Sequence, residues 1–384
     1  MRTQKLAIMN KFKFYFIVLI TTFSLFSCSK DDTTTEITPI RDYKLQFDAD
    51  NATIETYLEA NYIIVTDNPG ETDDQDVTIA KITDAATQPS IMSYLNSATF
   101  PKLLTRPVNL HGIEYTIYYL VLREGEKNTA TLKGGESPTN TDAVLASYSG
   151  SYLQNTAATD VPSVTATLFE ESKFPNKFFS LLETIKGWGE IFPQFKTGSY
   201  EKHKVIDIFD GTIDYTDFGA GMMFIPSGLA YYDYGAGSIP SYAPLVFSFK
   251  LYAIQRLDSD GDGVLNYQED LDGNGYMYDY RNLINYPNTP STNPDDTDGD
   301  GIPNFIDVDD DGDGYITKLE ITKPTGIAGP SKYYPYNLFV VQDDPLTTEE
   351  NETITKSEPM GIPDCLGDGT TTSRVRKHLD KSCH

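Results

Sequence analysis

The stretch from Phe218 to Phe247 reads FGAGMMFIPSGLAYYDYGAGSIPSYAPLVF and contains no Lys, Arg, His or Glu. Its pattern predicts an apolar strand through MMFI, a turn at Pro226/Gly228, a Tyr- and Gly-rich loop, a second turn at Ile239-Pro240, and a second apolar strand ending in Leu245-Val246-Phe247. Aromatic residues held on such a loop read either as the wall of a pocket or as the filling of a β core.

The chain upstream supplies the rest of a sheet. From Ile113 the run IEYTIYYLVLREGEK alternates with period two and is rich in β-branched and aromatic residues, and VLASYSGSYL from Val144 repeats that character with Gly150 as a break. A strand from Phe178 leads to the chain's single Trp, where Gly187-Trp188 opens a short helix towards Phe192 and Phe195. Further upstream, Asp50 or Asn51 is placed to cap a short helix with Ile54, Tyr57 and Leu58 on one face. Tyr62 to Val65 then reads as a strand or as the end of that helix. The expected class is α+β: an antiparallel twisted β-sheet wrapped on a short helix.

These residues fall in a recognisable order. Tyr148-Ser149-Gly150, Phe169-Glu170, Glu183-Thr184-Ile185-Lys186-Gly187-Trp188, Ile225-Pro226 with Ala230-Tyr231, Gly237-Ser238-Ile239-Pro240 and Leu245-Val246-Phe247 together resemble the FKBP family of peptidyl-prolyl cis/trans isomerases, over roughly residues 113 to 256. The resemblance implies a hydrophobic pocket for a proline ring. Trp188 would be its floor, Tyr148, Phe169, Ile185 and Phe247 its walls, and Phe178 or Phe179 a further wall. It implies that Tyr231 donates its hydroxyl to the substrate chain, that the backbone N–H of Ile185 meets the ligand carbonyl, and that Ile239 covers the rim. Glu170 stands where the family usually has Asp, one methylene longer, and Thr184 replaces a usual aliphatic residue. The segment between Tyr200 and Phe218 is longer than the simplest members need. The alternative from another class is a non-catalytic module that uses the same fold to bind Pro-containing peptides or to adhere.

Immediately after this region come four acidic segments. Asp258, Asp260, Asp262, Gly263, Val264, Asn266 and Glu269 occupy the first, third, fifth, sixth, seventh, ninth and twelfth places of a calcium loop. Asp309, Asp311, Asp313, Gly314, Tyr315, Thr317 and Glu320 do the same. Two poorer copies lie between: Asp270, Asp272 and Asn274 with Arg281 at the twelfth place, and Asp296, Asp298 and Asp300 with Asp307 there. A solvated charge run has no reason to put Asp at alternate positions with Gly fixed, so structural calcium is the expectation, with no cofactor needed for catalysis. A strand precedes Asp258 where an EF-hand would have a helix, so the array resembles thrombospondin type 3 or dockerin-like loops, used as stiff spacers rather than sensors.

The formal charge of −26 over 384 residues argues against binding a nucleic-acid backbone, which needs clustered Lys and Arg. The four histidines, His111, His203, His378 and His384, sit in no metal or triad spacing, and each reads as a surface residue. The N-terminus has a basic start and an apolar run, FYFIVLITTFSLFS, ending before Cys28. This is a secretory pattern, too short for a comfortable span. Its end resembles the lipobox of bacterial lipoproteins, with Cys28 diacylated; the blander reading is a non-lipid signal peptide with a chance Cys. The following Ser-Lys-Asp-Asp resembles the acidic export tag of Bacteroidetes-type surface lipoproteins. Localisation would be the outer membrane or cell surface of a Gram-negative bacterium, with proline-containing polypeptides as partners. A disulfide between the remaining Cys365 and Cys383 is the simplest account of an exported chain. The expected organisation is a signal peptide (1–27), a tether (28–42), an accessory region (43–112), the isomerase-like domain (113–256), calcium repeats (257–322) and a tail (323–384).

Overall fold

The computed structural model describes residues 39–125, 135–156, 163–205, 208–327, 329–338 and 358–383, without the side chains of 201–212. The leader and Cys28 lie outside the described residues, as do His384 and the side chain of His203. Residues Arg41–His384 form one compact unit.

Its centre is a seven-stranded antiparallel sheet. The strands are β3 (Lys102–Leu110), β4 (Ile113–Arg123), β5 (Ala143–Asn155), β6 (Val164–Ser172), β7 (Phe179–Ser180), β10 (Gly219–Ile225) and β11 (Leu245–Gln255). Their spatial order is β3-β4-β10-β11-β5-β6, with the short β7 beside the start of β5. The sheet therefore begins upstream of Ile113. The second apolar strand starts at Leu245 and continues to Gln255, because the run SFKLYAIQ keeps pairing with β5 after the apolar residues end. Two small hairpins accompany the sheet among the described residues: β1 (Asn61–Val65) with β2 (Val77–Lys81), and β8 (Ser199–Val205) with β9 (Ile208–Thr216).

Period-two alternation explains the layers. Along β4 and β10, Tyr115, Ile117, Tyr119, Val121, Met223 and Ile225 enter one core. Tyr118, Leu120, Leu122, Met222 and Phe224 enter a second core on the opposite face. The helix α2 (Lys186–Ile191) covers the first face, with Trp188, Ile191, Phe192 and Phe195 packed there. The second face is covered by α1 (Tyr43–Ala60) through Ile54, Tyr57 and Leu58.

That helix is longer than its apolar spacing indicates. Its N-cap is Asp42, whose carboxylate accepts from Leu45 N at 3.0 Å. Asp50, read as a possible cap, is buried mid-helix. It accepts from Ser227 N at 2.8 Å and Ser227 Oγ at 2.6 Å, tying α1 to the loop after β10.

After β11 the chain runs through the acidic loops and returns to a small apolar cluster of Val264, Ile321, Tyr334 and Ile362. The tail thus closes over the loops, with Cys365 and Cys383 bonded as a disulfide across Cα atoms 5.4 Å apart. His378 is a correction: it is buried against Tyr336, and burial, then Arg376 and Lys377, pushes its pKa down to about 3. His111 is likewise half-buried, stacked on Tyr43 at 3.8 Å. Among the described residues no helix is long and apolar enough to cross a membrane.

Candidate functional site

One cavity of about 470 Å³ opens between β5, β6, α2 and the loop after β10. Tyr148, Phe169, Glu170, Ile185, Trp188, Tyr231 and Phe247 line it, with Phe179, Glu183, Thr184, Lys186 and Ala230. Trp188 is the hub. Its ring meets Tyr148 at 5.0 Å, Phe247 at 5.3 Å, Phe192 at 5.3 Å and Phe179 at 6.0 Å, all edge-on. Phe169 meets Phe247 edge-on at 5.7 Å. Edge-to-face packing locks each ring against the next and leaves the walls apolar.

The sheet register creates the space for this. Gly150 pairs with Phe247 on one side and Glu170 on the other. A Cβ on Gly150 would lie 2.6 Å from Phe169 Cζ and 2.7 Å from Phe247 Cε1, so the two wall rings meet only because that position is bare. Of the two phenylalanines open to assignment, Phe179 takes the wall and Phe178 is exposed. Ile185 is the N-cap of α2 in extended conformation, so its N–H lies outside the helical hydrogen-bond ladder.

Ile239 does not line the cavity. It is buried in the core behind it, because Ala236 and Ile239 exchange both backbone hydrogen bonds and the tight turn tucks the side chain inward.

The polar edge is made by Tyr148, Tyr231 and Glu170. Burial, then the Glu170 charge and hydrogen bond, pushes the Tyr148 hydroxyl up to about 12; burial and then Glu170 raise Tyr231. Both hydroxyls are therefore protonated donors at neutral pH.

A network the sequence reading missed holds α2 from behind. Glu190 is fully buried; it accepts from Arg106 Nη2 at 2.8 Å and Nε at 3.0 Å, pairs with Lys186 at 3.3 Å, and accepts from the Tyr278 hydroxyl at 3.1 Å. Tyr276 donates to the Glu190 carbonyl at 2.9 Å, and Arg106 lies over the Tyr276 ring at 3.5 Å. Both tyrosines belong to the second acidic segment, at its seventh and ninth places, so that segment grips the helix that carries Trp188. The Tyr-x-Tyr spacing after Gly275 was the available signal, but its partners lie more than eighty residues away.

The acidic segments share one local geometry. In each, the first Asp accepts from the backbone N–H of the sixth-place Gly: Asp258 from Gly263, Asp270 from Gly275, Asp296 from Gly301 and Asp309 from Gly314. All four of these glycines have positive φ. Carboxylate oxygens converge in Asp258/Asp260/Asp262, Asp262/Glu269/Asp310, Asp270/Asp272/Asp295, Asp296/Asp298/Asp300 and Asp309/Asp311/Asp313. Glu269 and Glu320 are buried and neither oxygen of either has a hydrogen-bond partner. Burial, then neighbouring carboxylates, pushes Glu269 up to about 11 and Glu320 up to about 8.

Buried carboxylates without donors need a cation to stay charged, and an all-oxygen donor set suits calcium. Val264 and Tyr315 hold the seventh place, whose ligand would be the backbone carbonyl. Asn266 and Thr317 do not face the convergent oxygens in the manner expected. The Asn266 carboxamide accepts from Ser259 N at 2.9 Å, and Thr317 Oγ1 accepts from Asp310 N at 3.3 Å. Asp307 lies near Asp298 and Asp300 without joining their cluster.

Comparison with known proteins relates part of the chain to FKBP-type isomerases. FKBP-type peptidyl-prolyl cis-trans isomerase FkpA of Aeromonas hydrophila is 35% identical over 114 residues, 27% of this chain and 35% of that protein. This is homology to the FKBP-type isomerases over part of the chain, which spans about a third of the length of that relative. Among solved structures, a peptidyl-prolyl cis-trans isomerase of Pseudomonas syringae pv. tomato matches with 17% identity and a TM-score of 0.28, covering 57% of this chain and 99% of that one. FkpA from Escherichia coli matches with 23% identity and a TM-score of 0.24, covering 36% and 48%. A family model described as BamM C-terminal matches residues 259–349, across the acidic loops.

Proposed function

We propose that this protein is an exported peptidyl-prolyl cis/trans isomerase of FKBP type, anchored by lipid on Cys28 at the outer membrane or cell surface and stiffened by calcium in its acidic loops. The observation that carries the reading is the cavity in which Tyr148, Phe169, Phe179 and Phe247 surround Trp188. The homology to FKBP-type isomerases supports it.

Rotation about an X-Pro bond faces a barrier of about 18–20 kcal/mol from amide resonance. Lowering it requires no nucleophile. It requires binding the twisted amide more tightly than either planar form. The apolar box takes the proline ring and keeps water from the carbonyl, whose planar form water would stabilise. The Ile185 N–H and the Tyr231 hydroxyl, both at the cavity, hold the chain on either side of the bond. Calcium would supply cross-links between loops and take no part in the rotation.

The test is the cis-to-trans rate of a short Xaa-Pro peptide, with calcium and with chelator. Acceleration that falls in Tyr231→Phe and Phe169→Leu is expected; no acceleration by the unmodified protein refutes catalysis. Glu170 supports a second reading, a binding module without turnover, because its longer side chain bonds the Tyr148 hydroxyl inside the pocket. Activity appearing only in Glu170→Asp would select that reading.

A further inference from the structure

We infer that Asp310, a residue of the last acidic loop, completes the cation site of the first, so that loops 258–269 and 309–320 form one metal-bridged pair. The inference rests on the calcium reading above and names a ligand and a connection that the loop pattern does not contain.

Within its own loop Asp310 holds the second place, which contributes no ligand in the loop pattern. The equivalent residues are Ser259, Leu271 and Thr297, none a carboxylate. Ser259 and Thr297 are occupied, receiving hydrogen bonds from Asn266 and Asn304 at 2.7 and 2.8 Å. Asp310 instead brings a carboxylate oxygen within 4.8 Å of those of Asp262 and Glu269, while Asp309, Asp311 and Asp313 converge on a separate point.

The first loop has a reason to need it. Its ninth-place side chain, Asn266, is turned to Ser259 and leaves its oxygen spent there. A calcium ion takes about six to eight oxygens, so a further ligand from outside the loop fills a real gap. Glu269 is only 2% exposed and neither of its oxygens has a hydrogen-bond partner. Five carboxylates, Asp258, Asp260, Asp262, Glu269 and Asp310, thus gather around one region. The cation placed closest by hydrogen bonding is Lys318, which donates to Gly261 O at 2.7 Å. A single ammonium does not balance that charge.

The two loops are also built to face each other. The Lys318 bond crosses between them, and Ile321 packs so tightly on Gly263 that a Cβ there would lie 2.7 Å from its Cδ1. Thr317 Oγ1 fixes the Asp310 backbone from within the last loop. A cation at this point would staple the ends of the array together and close residues 270–308 into a loop.

The experiment is calorimetric titration of calcium into the full-length, chelator-stripped protein and its variants. Asp310→Asn and Glu269→Gln are each expected to weaken one and the same site at least about tenfold, since ligand charge count sets affinity in such loops. The double variant should weaken that one site further and leave the other sites unchanged. Asp311→Asn should weaken a different site and add to Asp310→Asn. Asp310→Ser, a smaller side chain, serves if the Asn variant fails to fold. Absence of calcium binding by the unmodified protein would overturn the calcium reading itself. Binding that Asp310→Asn leaves unchanged, or weakening of two different sites by Asp310→Asn and Glu269→Gln, would overturn the shared site alone.

Discussion

Replacing Gly150 by Ala adds one methyl group at the point where the pocket walls meet. The strand backbone there is paired on both sides and tolerates any residue, so only space is at issue. The new Cβ would sit 2.6 Å from Phe169 and 2.7 Å from Phe247, against a comfortable carbon separation of about 3.5–4.0 Å. One ring must retreat by about 1 Å. Phe247 is buried between Trp188 and Tyr148 and has nowhere to go, whereas Phe169 is half-exposed and swings outward. Overpacking of this kind costs about 1–3 kcal/mol of stability. Losing most of the Phe169 wall costs a bound proline ring about 1 kcal/mol or a little more, roughly a five- to tenfold weaker complex. The assay is built into the chain: Trp188 is its only Trp, so a Pro-containing peptide can be titrated by its emission, with urea unfolding measured in parallel. An Ala variant that binds peptide and unfolds like the unmodified protein would refute the claim that these two rings form the wall.

Glu190→Ala strips a buried carboxylate from Arg106, Lys186 and Tyr278 and should cost about 3–5 kcal/mol in urea unfolding, with Trp188 emission shifting as α2 loosens. Burial pushes Asp50 up to about 6, against hydrogen bonds from Ser227 and Gln46 that lower it. A raised folded pKa means its stabilisation is full below about pH 4 and is lost as pH rises to about 6, a change of about 3 kcal/mol. Asp50→Asn should flatten that window in unfolding curves taken at fixed calcium. In chelator, Glu269→Gln should raise the melting temperature, because burial, then neighbouring carboxylates, disfavours the charged carboxylate, and it should shrink the rise that calcium produces; a calcium-induced rise as large as that of the unmodified protein would sink the metal reading. Reducing Cys365–Cys383, eighteen residues apart, should cost about 3 kcal/mol by the chain-entropy account, seen as a lower midpoint in denaturant.

Much of this was legible in the chain. Period-two alternation announced the strand around Tyr115, because a half-turn per residue is a property of the backbone alone, and a short apolar run ending in a Pro/Gly turn announced the one at Met223. The acidic loops were legible for the same reason: the first Asp of each loop and the N–H it receives lie five residues apart. The order of aromatic residues marked a pocket, and Tyr148, Phe169, Trp188 and Phe247 lie around one cavity. Alternation does not say whether the second face of a strand is wet or covered. That depended on α1, whose Asp42 cap and Asp50–Ser227 tie were visible only in contact.

The sequence by itself therefore determined what rests on neighbours a few residues apart: strand alternation, the short helix at Trp188, and the glycine-turned acidic loops. The tertiary structure decided what rests on surfaces distant in the chain. It placed α1 on the outer face of the sheet, clamped α2 through Glu190 to Tyr276 and Tyr278, turned Ile239 inward, and set Asp310 against Glu269. The physical reason is range. Backbone geometry and turn hydrogen bonds are settled within a few residues, whereas a buried carboxylate acquires its partners only when packing brings separate segments together.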